Sequence, residues 1–329
     1  MRIYLITFVF FGLSLSLKAQ QIPQNSQFGL NPALLNPAFI GIEEGTEILV
    51  GGRWQMLGFG DEPRTAFGLY SKRLKTKEKE LPNPALNIGR EIPETEKKEK
   101  TKFSQAVGGQ ISLDKYGAFG AFAINGLYAC HVQINRAFTF SGGAKLGLTN
   151  NSFDASRAIV SNILDPSQSY QGGDAEYDQF IAGRTNNSNM NLGVGIKIKY
   201  NDFFIAAAAD QLTENSVEFG NSSANFETKK HFFVSTGYDV NVSDVIKLKA
   251  IAQFKKMQPA PLSSELAVIA EFDENLFAGM VYRHKAAVAL IGGFNINDKF
   301  RLGYSIDFTI NKLNNASNGG HELTLKYRF

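Results

Sequence analysis

The chain is poor in the residues from which catalytic and metal centres are usually built. Its 329 residues include one cysteine, Cys130, and four histidines, His131, His231, His284 and His321. A single cysteine excludes an intrachain disulfide. Cys130 follows Ala129 within a strand rhythm and is expected to be a small buried apolar residue rather than a nucleophile. No histidine has a Cys or His neighbour at metal-ligand spacing. His321-Glu322 is a fragment of the zinc-protease helix motif, but the second histidine is missing and the segment reads as a strand. A barrel lipase would need a Ser–His pair at a strand end. Ser317 and His321 fit that role poorly, and a hydrogen bond at the mouth of the last strand is the simpler use of His321. No glycine-rich phosphate loop precedes a helix. The formal net charge of +3 is too small to argue for nucleic acid, and no nucleic-acid motif occurs. These absences read as a non-enzyme with no cofactor, no metal site and no nucleic-acid partner.

Long apolar runs are also scarce. The one candidate lies at the start, where Arg2 precedes the apolar stretch Ile3 to Leu17 and Lys18-Ala19 precedes Gln20. This order predicts a signal peptide, residues 1–19, cut after Ala19. The run is short and broken by serines, which argues against a helical anchor. If the chain enters a membrane, it does so as strands.

What is plentiful is alternation. In the last stretch, Leu323, Leu325, Tyr327 and Phe329 fall on one face; Glu322, Thr324, Lys326 and Arg328 fall on the other. In a soluble sandwich the apolar face would meet a core; in an outer-membrane barrel it meets lipid while the charged face lines the bore. A terminal strand ending on Phe favours the barrel, which this strand would close. A mean hydropathy of −0.16 suits such a wall, because only alternate residues face lipid. Glycine-paired sites inside strands (Gly51-Gly52, Gly108-Gly109, Gly142-Gly143, Gly292-Gly293) read as bends or close contacts.

In chain order, residues 20–45 contain Asn31-Pro32 and Asn36-Pro37, which exclude a long helix or a regular strand. The expectation is a periplasmic segment or a plug tucked against the barrel. Residues 46–329 read as the barrel. Within it, Leu74–Lys102 is a Lys/Glu-rich excursion with three prolines, and Asn150–Asn189 is a long polar loop. A hairpin is expected about Asp114-Lys115, and a bulge near Asn125-Gly126 because Tyr116–Ile134 is long for one strand. The fold class is all-β: a single antiparallel transmembrane barrel of about fourteen strands, an even number as such barrels require. The connections sort by parity. Asn150–Asn189, Gln211–Thr228, Lys256–Leu262 and Ile310–Gly319 are long and fall on one side. Asn135-Arg136, Asn201-Asp202, Asn241–Ser243, Asp273–Asn275 and Asn295–Asp298 are short and fall on the other, the periplasmic side. Leu74–Lys102 is the exception on that side, which raises its odds of meeting a partner.

The same period-2 reading places Lys145, Lys197, Lys199, Lys247, Lys249, Lys326 and Arg328 on the lumen face. At the lipid midplane each would cost about 2–4 kcal/mol. Two readings stand: they pair with carboxylates such as Asp307 and Glu322, or they bias a channel toward anions.

Several motifs carry a resemblance. They are Asn31-Pro32, then Asn36-Pro37-Ala38-Phe39 and Gly41; Arg53-Trp54-Gln55; Pro63-Arg64-Thr65; Gly303-Tyr304 with Asp307; and Gly320-His321-Glu322. Tyr128 to His131, Gly237-Tyr238 and Tyr282-Arg283 lie between in matching order. The chain resembles the PorP/SprF family of the type IX secretion system over nearly its whole mature length. It departs at Phe39, where Tyr is commoner, and at Cys130, where an aromatic is commoner. The resemblance implies an outer-membrane barrel, reached after signal-peptide cleavage. It further implies a link from secreted cargo, or its C-terminal sorting domain, to periplasmic ring components or accessory lipoproteins, in some members alongside gliding motility. The expected partners are therefore outer-membrane lipid, the secretion machinery and cargo. The rival reading is a porin-like channel with a basic lumen; a soluble periplasmic β protein is a third.

Overall fold

The protein, a computed structural model, is described over residues 24–58, 62–74, 77–79, 101–154, 157, 184–217, 226–273, 275–311 and 317–329. In chain order its strands are β1 (Thr46–Trp54), β2 (Arg64–Arg73), β3 (Lys77–Lys79), β4 (Thr101–Tyr116), β5 (Phe119–Gln133), β6 (Phe138–Asp154), β7 (Arg184–Tyr200) and β8 (Phe203–Asp210). They continue as β9 (Ser216–Val217), β10 (Phe226–Glu227), β11 (His231–Ser243), β12 (Ile246–Met257), β13 (Ser263–Phe272), β14 (Leu276–Arg283), β15 (Ala287–Asn295), β16 (Phe300–Thr309) and β17 (Gly320–Arg328). Three are short: β3 prolongs the edge of β4, and β9 pairs only with β10. The other 14 form a closed antiparallel barrel. Closure joins β1 to β17, with Val50 opposite Leu325 and Arg53 opposite Glu322.

Alternation decides which way each residue faces. On β17, Leu323 is exposed, as is Phe329 just after it, while Glu322 and Thr324 are buried. The same holds around the wall: Val50, Tyr70, Ile111, Ile124, Leu148, Ile196, Val234, Val268, Met280 and Leu290 all present large apolar side chains outward. An outward face this apolar fits lipid and not water. Among the described residues no helix is long and apolar enough to cross a bilayer; the strands of the closed wall, apolar on their outward face, are suited to cross it. The stacked rings of Phe300, Tyr327 and Phe329 mark the outward rim at the end where the chain terminates. Apart from residues 74–100, the long connections lie at the opposite end, the extracellular one by the usual loop asymmetry of such barrels.

Details depart from the sequence reading. The hairpin turn is at Gly117-Ala118, not Asp114-Lys115, because Gly117 supplies the positive φ of 55° and pairing continues to Tyr116 opposite Phe119. No bulge interrupts Asn125-Gly126; β5 keeps register with both neighbours throughout. The irregularity lies instead between Asn241 and Ser243, expected to be a turn but still paired with β12. The polar loop begins later than expected: Asn150 pairs with Ser188 and the ladder reaches Asp154 opposite Arg184. Its composition is that of a loop, yet cross-strand pairing overrides weak strand propensity. At the other end, Lys77–Lys79 pairs with Thr101–Phe103, so the Lys/Glu excursion opens as a ladder. Its remainder, residues 80–100, lies outside the described residues, as do residues 1–23. Cys130 is not a buried core residue; it sits half-buried on the outward face between Tyr128 and Val132.

Candidate functional site: the inner segment and its buried ion cluster

Residues Gln24–Gly41 lie inside the bore. Each Asn-Pro pair starts a single 3-10 turn, Pro32–Leu34 and Pro37–Phe39. Proline fits the first position because its fixed φ suits the turn and no N–H is missed there. The Asn36 side chain accepts from the Ala38 N–H, which caps the second turn. Two apolar side chains anchor the segment. Phe28 inserts among Ile251, Ile269, Phe277, Val281 and Ile291 of β12 to β15. Ile40 inserts among Leu49, Leu69, Ala106, Leu127 and Ala129 of β1, β2, β4 and β5. Each full burial contributes about 1.5–3 kcal/mol. The inner wall is therefore not uniformly polar: it carries two apolar patches, and the inner segment covers both.

At the Ser26 end the wall supplies charge. Arg53 from β1 donates to Asp307 of β16 at 2.5 Å and to Glu322 of β17 at 2.9 Å. Arg283 of β14 lies 3.5 Å from Asp307 and 3.1 Å from Glu265 of β13. Lys255 of β12 donates to Glu265 at 2.9 Å. Three cations thus meet three carboxylates, and the cluster is neutral. Ser26 sits inside it. Its hydroxyl donates to Asp307 at 2.7 Å and accepts from Arg53 at 2.7 Å; its backbone N–H donates to Glu322 at 2.7 Å. Gln27 beside it accepts from the Thr324 hydroxyl at 2.8 Å. Ser26, Gln27 and Glu322 have no exposed surface. Charges this deep are tolerated only because each finds an opposite partner.

At the Asn36 end the wall supplies space and carbonyls. A Cβ on Gly195 would lie 1.9 Å from Asn36 Oδ1, and one on Gly143 would lie 2.5 Å from the Pro37 carbonyl carbon. Only glycine lets the backbone come so close. The Asn36 amide donates to the carbonyls of Ile196 and Ala207 at 3.3 and 3.2 Å. His131 Nε2 lies 2.9 Å from the Ile40 carbonyl and Nδ1 lies 2.8 Å from the Ser141 hydroxyl. A carbonyl only accepts, so the proton is on Nε2 and, in the neutral ring, Ser141 donates to Nδ1. Phe39 meets Phe204 edge-on at 5.8 Å and carries Lys197 Nζ 4.5 Å from its ring centre. Gly41 then turns the chain out of the bore with φ 64°, where a Cβ would strike Ala106 at 2.3 Å.

The sequence-derived residues distribute as follows. Arg53, Asp307 and Glu322 come together in the ion cluster. Asn31, Asn36 and Pro37 belong to the inner segment; Gly303 gives Gln27 room, with a Cβ there falling 2.4 Å from its Oε1. Gly320 lies against the Trp54 carbonyl, and the Pro63 carbonyl accepts from the Gln55 N–H. Trp54, Tyr304 and His321 face outward instead, with His321 Nδ1 bonded to the Tyr304 hydroxyl. Among the basic residues, Lys145 pairs with Asp210 at 2.5 Å, Lys247 with Asp239, Lys249 with Glu271, Lys326 with Glu47, and Arg328 with Glu43 and Glu47. Lys197 packs on aromatic rings, and Lys199 is exposed at the periplasmic end. Asp307 and Glu322, suggested as partners for these lysines, are held by Arg53 instead. Alternation gave the faces, but which inward groups meet depends on barrel closure.

Ser26, Gln27, Lys255, Glu265 and Asp210 were not singled out from sequence. Glu265 and Lys255 share parity with Ala267 and Ile251, so a charged residue among inward apolar ones was the available signal.

Arg53, Asp307 and Glu322 come from both ends of the chain, and both ends fall within one match. Residues 17–327 match the family described as type IX secretion system membrane protein PorP/SprF. The chain belongs to the PorP/SprF family. It is a membrane component of type IX secretion located in the outer membrane. Among curated proteins none matches. The CymD monoaromatic hydrocarbon channel is similar in structure, at 9% identity and a TM-score of 0.50, with 94% of each chain covered. The P. putida toluene transporter TodX matches at 10% identity and 0.47, covering 91% of this chain and 94% of its own. A Pseudomonas aeruginosa FadL homologue matches at 12% and 0.46, covering 94% and 95%. Identities this low speak for the barrel fold alone, so for this PorP/SprF chain the cargo those barrels carry decides nothing.

Proposed function

We propose that this PorP/SprF barrel is a non-enzymatic anchoring scaffold that links secreted cargo, or its sorting domain, to the periplasmic machinery, with gliding motility as one use of that link. The observation that carries the reading is the inner segment. It contacts wall strands around the bore and is fixed there by a neutral cluster of buried ion pairs. A conducting pore needs a continuous wet path, and the basic side chains that would select anions are largely paired with carboxylates. The rival porin-like channel is therefore the weaker reading.

In the proposed arrangement the long connections at the extracellular end hold the secreted partner. The exit of the inner segment at Gly41 and the Lys/Glu excursion meet ring components or lipoproteins at the periplasmic end. Replacement of residues 80–100 by a two-residue Asn-Gly turn keeps the paired stretch Lys77–Lys79 with Thr101–Phe103 in place. The expected outcome is a barrel that still inserts, with heat-modifiable gel mobility, but captures less machinery and secretes or displays less cargo. An unchanged secretome with unchanged pull-down overturns the scaffold reading, and a steady anion-selective conductance of the intact protein in planar bilayers establishes the porin instead.

A further inference from the structure

Among the described residues the outward face of the wall carries few charges, and two of them stand side by side at one place. At the extracellular end, Lys115 stands opposite Arg64, Arg64 opposite Trp54, and Trp54 opposite His321. Directly opposed residues on antiparallel strands point to the same face. These four therefore form one outward row across β4, β2, β1 and β17. Adjacent strands are about 4.8 Å apart, so the row spans about 14 Å. On β16 Ile306 stands opposite His321, and Tyr304, one row nearer the membrane centre, reaches up to it diagonally, its ring stacked 5.8 Å from that of His321 and its hydroxyl bonded to Nδ1. Arg64 is tied to Glu62 by one contact of 3.3 Å and stays mostly exposed. Lys115 is exposed and makes no ion pair among the described residues.

One row nearer the membrane centre, the same strands present Leu113, Ala66, Gly52 and Leu323, all apolar and small in the middle. The Trp54 indole lies over Gly52, with its ring 3.2 Å from where a Cβ would be. Cations and polar rings thus stand just above a lipid-facing apolar surface, at the depth of the outer headgroups. Among the described residues at this end, other outward strand termini include Phe232, Tyr282, Val288 and Phe308, and Lys256, an outward cation on β12, donates to the Ala260 carbonyl at 2.7 Å.

We propose that this row is a binding site for the phosphate groups of an outer-leaflet glycolipid, with Lys115 and Arg64 holding phosphate, His321 and Tyr304 bonding sugar hydroxyls, and the acyl chains lying on Leu113, Ala66 and Leu323. A phosphate needs donors and positive charge, and a guanidinium can grip it with two parallel hydrogen bonds. The site faces lipid rather than the bore. It rests on the barrel's placement and not on the scaffold reading.

The test is native mass spectrometry of the detergent-purified full chain, titrated with a bis-phosphorylated diglucosamine lipid. Each surface cation contributes about fivefold to anionic lipid affinity, so R64Q/K115Q should lose about 25-fold. K256Q should bind like the unaltered chain. Heat-modifiable mobility verifies that the double variant is folded. Removal of the lipid's phosphates should abolish the difference between the unaltered chain and the double variant, and inorganic phosphate alone at the same concentration should not displace the lipid. Equal binding by the double variant overturns the proposal, as does an equal loss in K256Q, undiminished binding of the dephosphorylated lipid, or displacement by inorganic phosphate.

Discussion

The two ends of the inner segment are held by different physics. Ser26 is gripped by charge: Arg53, Asp307 and Glu322 reach it from β1, β16 and β17, where the barrel closes. Asn36 is gripped by shape: Gly143 and Gly195 leave room for its turn, and carbonyls of β7 and β8 take its amide. A charged anchor is strong but interdependent, since removing one partner strands the others. A packed anchor is local, and a change there need not spread. This difference in anchoring sets where the bore opens first. The charged end is the one that a single substitution can release.

The largest effect is expected from Arg53→Met. It leaves Asp307 and Glu322 buried beside each other without their shared cation, which costs about 3–5 kcal/mol. Arg283 still lies near Asp307, so Glu322 bears most of the loss. The Ser26 end should leave the wall, seen as new protease cleavage near Gln24 and a rise in single-channel conductance. A variant as quiet and as resistant as the original would show that the cluster does not hold the segment.

A smaller effect is expected from Gly195→Val. Its added carbons collide with Asn36, and overpacking of this kind costs about 1–3 kcal/mol. Hydrogen exchange should quicken at Asn36–Phe39 while Ser26 and Gln27 stay protected. If both ends loosen together, the anchors are one unit and the contrast between them fails. The smallest change is Lys326→Ala at the periplasmic rim, whose 3.4 Å pair with Glu47 is partly exposed and whose partner keeps Arg328. A pair of that kind is worth about 0–1 kcal/mol, so thermal stability in detergent should barely move.

Much of the architecture was legible in the chain. Period-2 alternation in Gly320–Phe329 identifies an outward apolar face, and the parity of connections orients the barrel. Both depend only on neighbours along one strand. Boundaries were less legible. Asn150–Asp154 has the composition of a loop, but the partner strand supplies its hydrogen bonds, and no window of sequence contains that partner. The ion cluster was half legible. Arg53, Asp307 and Glu322 stood out as parts of motifs, and the lumen side of Asp307 and Glu322 was read from the strand pattern, yet Glu265 and Lys255 looked like ordinary members of mixed strands.

Strand alternation, the greasy face of each strand and the two Asn-Pro turns ahead of the first are written locally along the chain. The closed tertiary structure decided which inward groups touch. Charges separated by more than two hundred residues meet around Ser26 because β1 hydrogen-bonds to β17. That contact exists only once the sheet has curled back on its own edge, and local propensity carries no information about where a ring will close.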